Sequence, residues 1–109
     1  MGLRQNLELM LQRGQDSPLL RFSLGNECLK EGDLVVAISH LRHAIELNPG
    51  YSAAWKRLGE AHVMAGAADR AADVYRRGID AAEEQGDLQA AREMTVFLKR
   101  LQRAGSAQP

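Results

Sequence analysis

Apolar positions recur along this chain at helical spacing. Leu3, Leu7, Met10 and Leu11 form an i, i+4, i+7, i+8 stripe, which predicts a short amphipathic helix over residues 3–13. Gly14 ends it, and Asp16-Ser17-Pro18 starts the next, with Ser17 as cap and Pro18 in the first turn. That helix runs to about Glu31 and stops at Gly32. Asp33 is placed to cap a third helix, whose Ile38, Leu41 and Ile45 share a face before Asn48-Pro49-Gly50 breaks it. A fourth begins at Ser52 and ends near Gly66; a fifth spans roughly Ala68 to Glu84. Gly86-Asp87 precedes a sixth, about Leu88 to Arg103, and residues 105–109 read as a disordered tail. The pattern thus predicts an all-α chain of five or six helices and gives no alternation suited to strands.

Composition supports that class. Apolar residues make up 45% of the 109, enough for one core, while aromatics are only 5%. Abundant Ala suits closely packed helices. Charge balances at 14 basic and 14 acidic side chains, so no global field draws the chain to nucleic acid or to a membrane. Cys28 is the single cysteine, which excludes an intramolecular disulfide and a cysteine metal cluster. The N-terminal residues lack the apolar core of a signal peptide, and no run approaches a membrane span. A cytoplasmic protein is expected.

A repeat organises these helices. Trp55, Leu58, Gly59 and His62 form a Trp-x2-Leu-Gly-x2-His run, and Arg21, Leu24, Gly25 and Cys28 repeat it degenerately 34 residues upstream. Aligning residues 18–51 with 52–85 gives identities at Leu24/Leu58, Gly25/Gly59, Gly32/Gly66, Ala37/Ala71, Arg42/Arg76 and Ile45/Ile79. A mid-helix Gly costs on the order of 1 kcal/mol relative to Ala, so Gly25 and Gly59 imply close approach of a partner helix, with Ala37 and Ala71 small on the other side.

Period and pattern resemble the tetratricopeptide repeat family over residues 18–85. Arg21 stands where the family has a large aromatic, Cys28 where Tyr is common, and Glu83 where Pro is usual. The resemblance implies a right-handed superhelical array of α-hairpins. It would occupy residues 1–104, with repeats at 18–51 and 52–85. Residues 3–13 and 87–104 would seal the ends. In the last helix Ala91, Met94, Thr95 and Leu98 fit the slots of Trp55, Leu58, Gly59 and His62 at a slipped spacing of 36.

Candidate chemistry is sparse. His40, His43 and Glu46 lie three apart on one helix and could form a metal ladder, but the buried face marked by Ile38, Leu41, Ala44 and Ile45 turns the two histidines outward. His62 and Cys28 occupy packing slots, which suits a core imidazole and an inert thiol. No phosphate loop, nucleophile elbow or zinc-protease motif is present. No catalytic, cofactor-binding or metal residue is assigned, and no enzyme is expected.

Function is then expected from a groove. The stripe about 100° from the packing stripe comprises Phe22, Asn26, Leu29 and Lys30 in the first repeat, and Lys56, Glu60 and Met64 with Arg57 at the edge in the second. In the last helix it comprises Arg92, Val96 and Lys99. In the resembling family this face lines a concave surface that binds peptides, and its carboxylate-clamping members use Lys, Asn and Arg there. Asn26 matches one clamp slot, whereas Phe22 and Arg57 replace the clamp's Lys and second Asn, so chaperone-tail binding is not part of the expectation. The reading is a protein-interaction scaffold or adaptor that takes a peptide or helix of another protein, with an acidic stretch or C-terminal carboxylate meeting the cations. The alternatives are homodimerisation through an exposed repeat edge, or a fragment of a longer array.

Overall fold

A computed structural model describes residues 2–106. Six α-helices follow one another: α1 Leu3–Gln12, α2 Pro18–Lys30, α3 Leu34–Leu47, α4 Ser52–Met64, α5 Ala68–Glu84 and α6 Leu88–Ser106. The last reaches two residues into the segment expected to be a tail, and residues 107–109 lie outside the described residues. Each helix packs on its chain neighbours, and α2, α4 and α6 also approach one another in turn. The Cα radius of gyration is 14.4 Å, above the ~13 Å of a compact domain this size. Extents of 48 × 32 × 17 Å describe a short slab-like stack.

Local chemistry sets the helix ends. Ser17 Oγ accepts the Leu20 N–H at 3.0 Å, and Pro18 occupies the first turn. Gly32 and Gly66 adopt φ of 77° and 75°, a left-handed conformation that favours glycine. Each lets the chain fold back onto the helix it leaves: Asp33 N donates to Cys28 O at 2.9 Å, and Ala67 N to His62 O at 2.9 Å. Asp33 differs from expectation. It precedes α3, but its side chain makes no capping bond. Arg4 Nη2 takes the carboxylate at 3.1 Å.

Side chains of one helix fill the bare backbone of another. A Cβ on Gly25 would stand 2.6 Å from Leu41 Cγ. One on Gly59 would overlap the ring of Tyr75. One on Gly78 would stand 2.6 Å from Met94 Sδ and 2.9 Å from Trp55 Cβ. The counterparts of the first two glycines are thus Leu41 and Tyr75, rather than Ala37 and Ala71; at Gly25 the nearest Ala37 atom is a carbonyl oxygen at 3.5 Å. Trp55, Leu58, Val74, Tyr75 and Met94 are buried around these contacts.

The first repeat lies at the end of the stack, which explains its departures. Arg21 stands in the slot of Trp55, and its guanidinium bonds Asp16 at 2.9 and 3.1 Å and His40 Nδ1 at 3.2 Å. An arginine stem can lie along the packing edge while its head finds partners. Cys28 is fully buried. Beside it α1 lies along α2 with Leu7, Leu9 and Leu11 half-buried, and Arg4 joins it to Glu31 at 2.6 Å. At the other end, Ala90, Ala91 and Met94 of α6 face inward.

Two outcomes follow from this packing. Gly59→Leu should destabilise the fold by about 1–3 kcal/mol, since overpacking forces the ring aside; denaturant unfolding reads the loss, and an unchanged midpoint contradicts the contact. Deleting residues 1–14 should lower the thermal midpoint or cause self-association seen by light scattering, because it bares the side of α2 that Leu7 and Leu11 shield. A monomeric truncation of unchanged midpoint would show that α1 is no cap.

Candidate functional site: the concave face

Helices α2, α4 and α6 present one side to a shared depression lined by Phe22, Ala53, Lys56, Arg57, Glu60, Val63, Tyr75, Glu93 and Phe97. Its floor is aromatic. Tyr75 comes from α5, behind the lining helices, and reaches the depression over Gly59, where no side chain blocks it. Its ring meets Phe97 at 5.6 Å between centroids, and Phe22 meets Tyr51 at 5.1 Å. Burial pushes the Tyr75 hydroxyl up to about 12, with Glu60 adding to the shift, so the phenol stays neutral.

Charges on the walls are paired. Lys56 Nζ donates to Glu93 at 3.2 Å, bridging α4 and α6 across the depression. Arg57 Nη1 donates to Glu60 at 2.8 Å. A second hollow adjoins through Arg57 and Glu60 and is lined also by Leu3, Asn26, Leu29, Lys30 and Met64. Asn26 Oδ1 there is shielded from solvent and has no hydrogen-bond partner among the described residues.

These positions sort the expected groove residues. Phe22, Lys56, Arg57 and Glu60 line the main depression, and Asn26, Leu29, Lys30 and Met64 line its neighbour. Arg92 and Val96 do not join them; they lie on the other flank of α6 with Ile79, Glu83 and Leu88. Lys99 is exposed and lines neither hollow. Met94 sinks onto the bare backbone of Gly78 and Ala91 is buried, as their slots had it, but the side of α6 that opens to the depression lies about one residue from the stripe carried over from α4. Glu93 and Phe97 therefore take the concave positions. The excess of cations inferred from sequence is offset, because Glu93 joins Glu60 in the lining. Phe22 meets Tyr51 and borders the open depression.

The geometry is that of paired antiparallel helices repeating along a stack, and the comparisons agree. The family described as tetratricopeptide repeat matches residues 29–95. The chain is a tetratricopeptide repeat protein. It is 46% identical over 100 residues to the TPR repeat-containing protein PA0015 of Pseudomonas aeruginosa, covering 92% of this chain and 95% of the relative. Among solved structures it resembles protein BPP2914 of Bordetella parapertussis, with a TM-score of 0.87, 37% identity, and 99% and 94% of the two chains covered. A tetratricopeptide repeat domain protein from Salinibacter ruber matches with a TM-score of 0.74 at 26% identity over 79% of this chain and 87% of that one. The first such domain of Spaghetti (RPAP3), solved bound to the HSP90 peptide SRMEEVD, shares the fold with a TM-score of 0.71 at 19% identity, covering 96% and 91%. Repeats of this family are typically protein-interaction modules rather than enzymes.

The remaining polar candidates of this repeat protein fall elsewhere. His40 is half-buried against Arg21 rather than turned outward, and His43 Nδ1 donates to the Ser39 carbonyl at 2.9 Å. Among the described residues no three metal-ligating side chains converge. Burial pushes the Cys28 thiol up, which keeps it protonated and unreactive. Among the described residues no helix is long and apolar enough to cross a membrane.

Burial, and then Arg21, hold His40 below the ordinary imidazole value of 6.5. The folded state therefore binds fewer protons than the unfolded state in the window just below 6.5, and stability falls as pH drops through it. His40→Gln should flatten the stability–pH profile below pH 6.5. Denaturant melts at pH 7.5 and about 5.5 check this, and parallel profiles for parent and variant would contradict it.

Proposed function

We propose that the concave face binds an extended segment or helix of another protein, making the chain an interaction scaffold or adaptor. The observation that carries this reading is the open depression between α2, α4 and α6, lined by Phe22, Tyr75 and Phe97 from three helices. An aromatic floor of buried Tyr75 and half-buried Phe22 and Phe97, with charged walls, suits a ligand with an apolar anchor and flanking polar groups. A protein of the same fold, the RPAP3 domain, takes a peptide, which supports the class of ligand. The anchor would lie on Phe22 and Phe97. An acidic or terminal carboxylate would point toward Lys30 and Arg57, since Arg92 lies on another flank. A backbone N–H of the ligand would satisfy Asn26 Oδ1 after a small rotation of that side chain; leaving such a group unpaired costs about 1–3 kcal/mol.

A displayed-peptide library selected on the pure protein, followed by amide chemical-shift mapping, tests the reading. Selected peptides should perturb Ala53, Arg57, Val63 and Phe97. Phe97→Glu should weaken binding at least tenfold without unfolding the chain, while Arg92→Glu should not. Shifts confined to α3 and α5 would overturn it.

Self-association is the second reading. Leu88 and Val96 are 54% and 43% exposed on the α5–α6 flank, with Glu83 and Arg92 beside them. In a two-fold pair Arg92 of each copy would meet Glu83 of the other. Sedimentation should then show a dimer that Val96→Glu dissociates; a monomer at all concentrations would remove this reading.

A further inference from the structure

The convex side carries a hollow of different character, formed by α3 and the junction of α4 and α5. Arg42 and His43 enter from α3, His62 from the last turn of α4 and Arg70 from the first turn of α5. Glu46 is the only carboxylate in its lining. Arg4, Arg21, Lys30, Lys56, Arg57 and Arg77 all pair with carboxylates of the chain. Arg42 and Arg70 pair with none among the described residues, as is true of Arg13, Arg76, Arg92, Lys99, Arg100 and Arg103, but these two share one hollow. His62 is only 8% exposed, yet its ring forms part of the wall, and neither ring nitrogen has a hydrogen-bond partner among the described residues. His43 uses Nδ1 on Ser39 and leaves Nε2 unused.

Two guanidiniums and an imidazole thus face one hollow from three helices, with one carboxylate among them. An anion between them gains charge-assisted hydrogen bonds from all three. We infer that this hollow binds a phosphoryl group through Arg42, Arg70 and His62. A carboxylate is satisfied by one guanidinium fork, whereas a phosphoryl group offers three oxygens to donors arriving from three helices. Its near-dianionic charge matches two arginines. The exposed side chain of Val35 and the half-buried Ile38 border the hollow, so an esterified phosphate on a side chain would gain contacts that the free ion lacks. In the free protein burial, then Arg70 and Arg42, hold His62 below its ordinary value of 6.5. Arg42, His43 and Glu46 from α3 and Arg70 from α5 are the charged or titratable groups around it. A bound dianion favours the imidazolium, so binding raises the titration midpoint of His62.

The site does not depend on the concave groove, and its test is separate. In the full chain, His62 ring resonances are titrated with inorganic phosphate, O-phosphoserine and acetate at constant ionic strength. Phosphate should give a saturable shift and raise the titration midpoint of His62, and acetate should do neither. Tighter binding of O-phosphoserine assigns the site to a phosphorylated side chain; equal affinity assigns it to the free ion, and both support a phosphoryl site. Arg42→Gln and Arg70→Gln alter exposed side chains and should fold normally, with binding at least fivefold weaker. Glu46→Gln should tighten binding, and Arg76→Gln, outside the hollow, should leave it unchanged. No saturable shift, an equal response to acetate, or undiminished binding by both arginine variants would overturn the inference.

Discussion

The ring of Tyr75 lying on the backbone of Gly59 is the contact on which the rest depends. Glycine in mid-helix costs about 1 kcal/mol relative to alanine. Here that cost lets a whole aromatic ring pass between helices, bury, and emerge on the concave side. The same ring meets Phe97, so the contact that joins α4 to α5 also helps seat α6. Each packing glycine receives the side chain sixteen residues later: Leu41 on Gly25, Tyr75 on Gly59 and Met94 on Gly78. One geometric device therefore sets the helix pairing along the stack.

That device also decides what could be read in the sequence. Helix bounds were legible because their signals are local: the Ser17-Pro18 start, the left-handed glycines at Gly32 and Gly66, the Asn48-Pro49-Gly50 break. The 34-residue period was legible because packing slots demand small or apolar residues in fixed places. Met94 in an inward slot of α6 was legible too, whereas the open face of that helix was not, since it depends on how α6 sits against both α4 and α5. Tyr75 escaped the concave stripe for a related reason, because it belongs to the helix behind. The exposure expected of His40 rests on the face of α3 alone, and its partner Arg21 sits in an aromatic slot where no hydrogen bond to it is expected.

Electrostatics then divide the two sides of the slab. The chain is neutral as a whole. On the concave side Lys56 meets Glu93 and Arg57 meets Glu60. Such half-exposed pairs contribute little to stability, about 0–1 kcal/mol each, and can be exchanged for ligand groups at small cost. That suits adaptable peptide recognition over an aromatic floor. On the convex side Arg42 and Arg70 have no such partners among the described residues and stand beside a buried imidazole. The two hollows lie on opposite sides of the stack and share α4 and α5, whose packing Gly59 and Tyr75 hold together.

A double-mutant cycle at Gly59 and Tyr75 tests that claim most directly. Gly59→Ala is measured by denaturant unfolding in the parent and in Tyr75→Ala, where the ring no longer fills the space. The account predicts a clear loss in the parent and little loss, or a gain from helix propensity, in the second background, a coupling of about 1 kcal/mol or more. Equal effects in both backgrounds would show that ring and glycine do not interact, and would contradict the account.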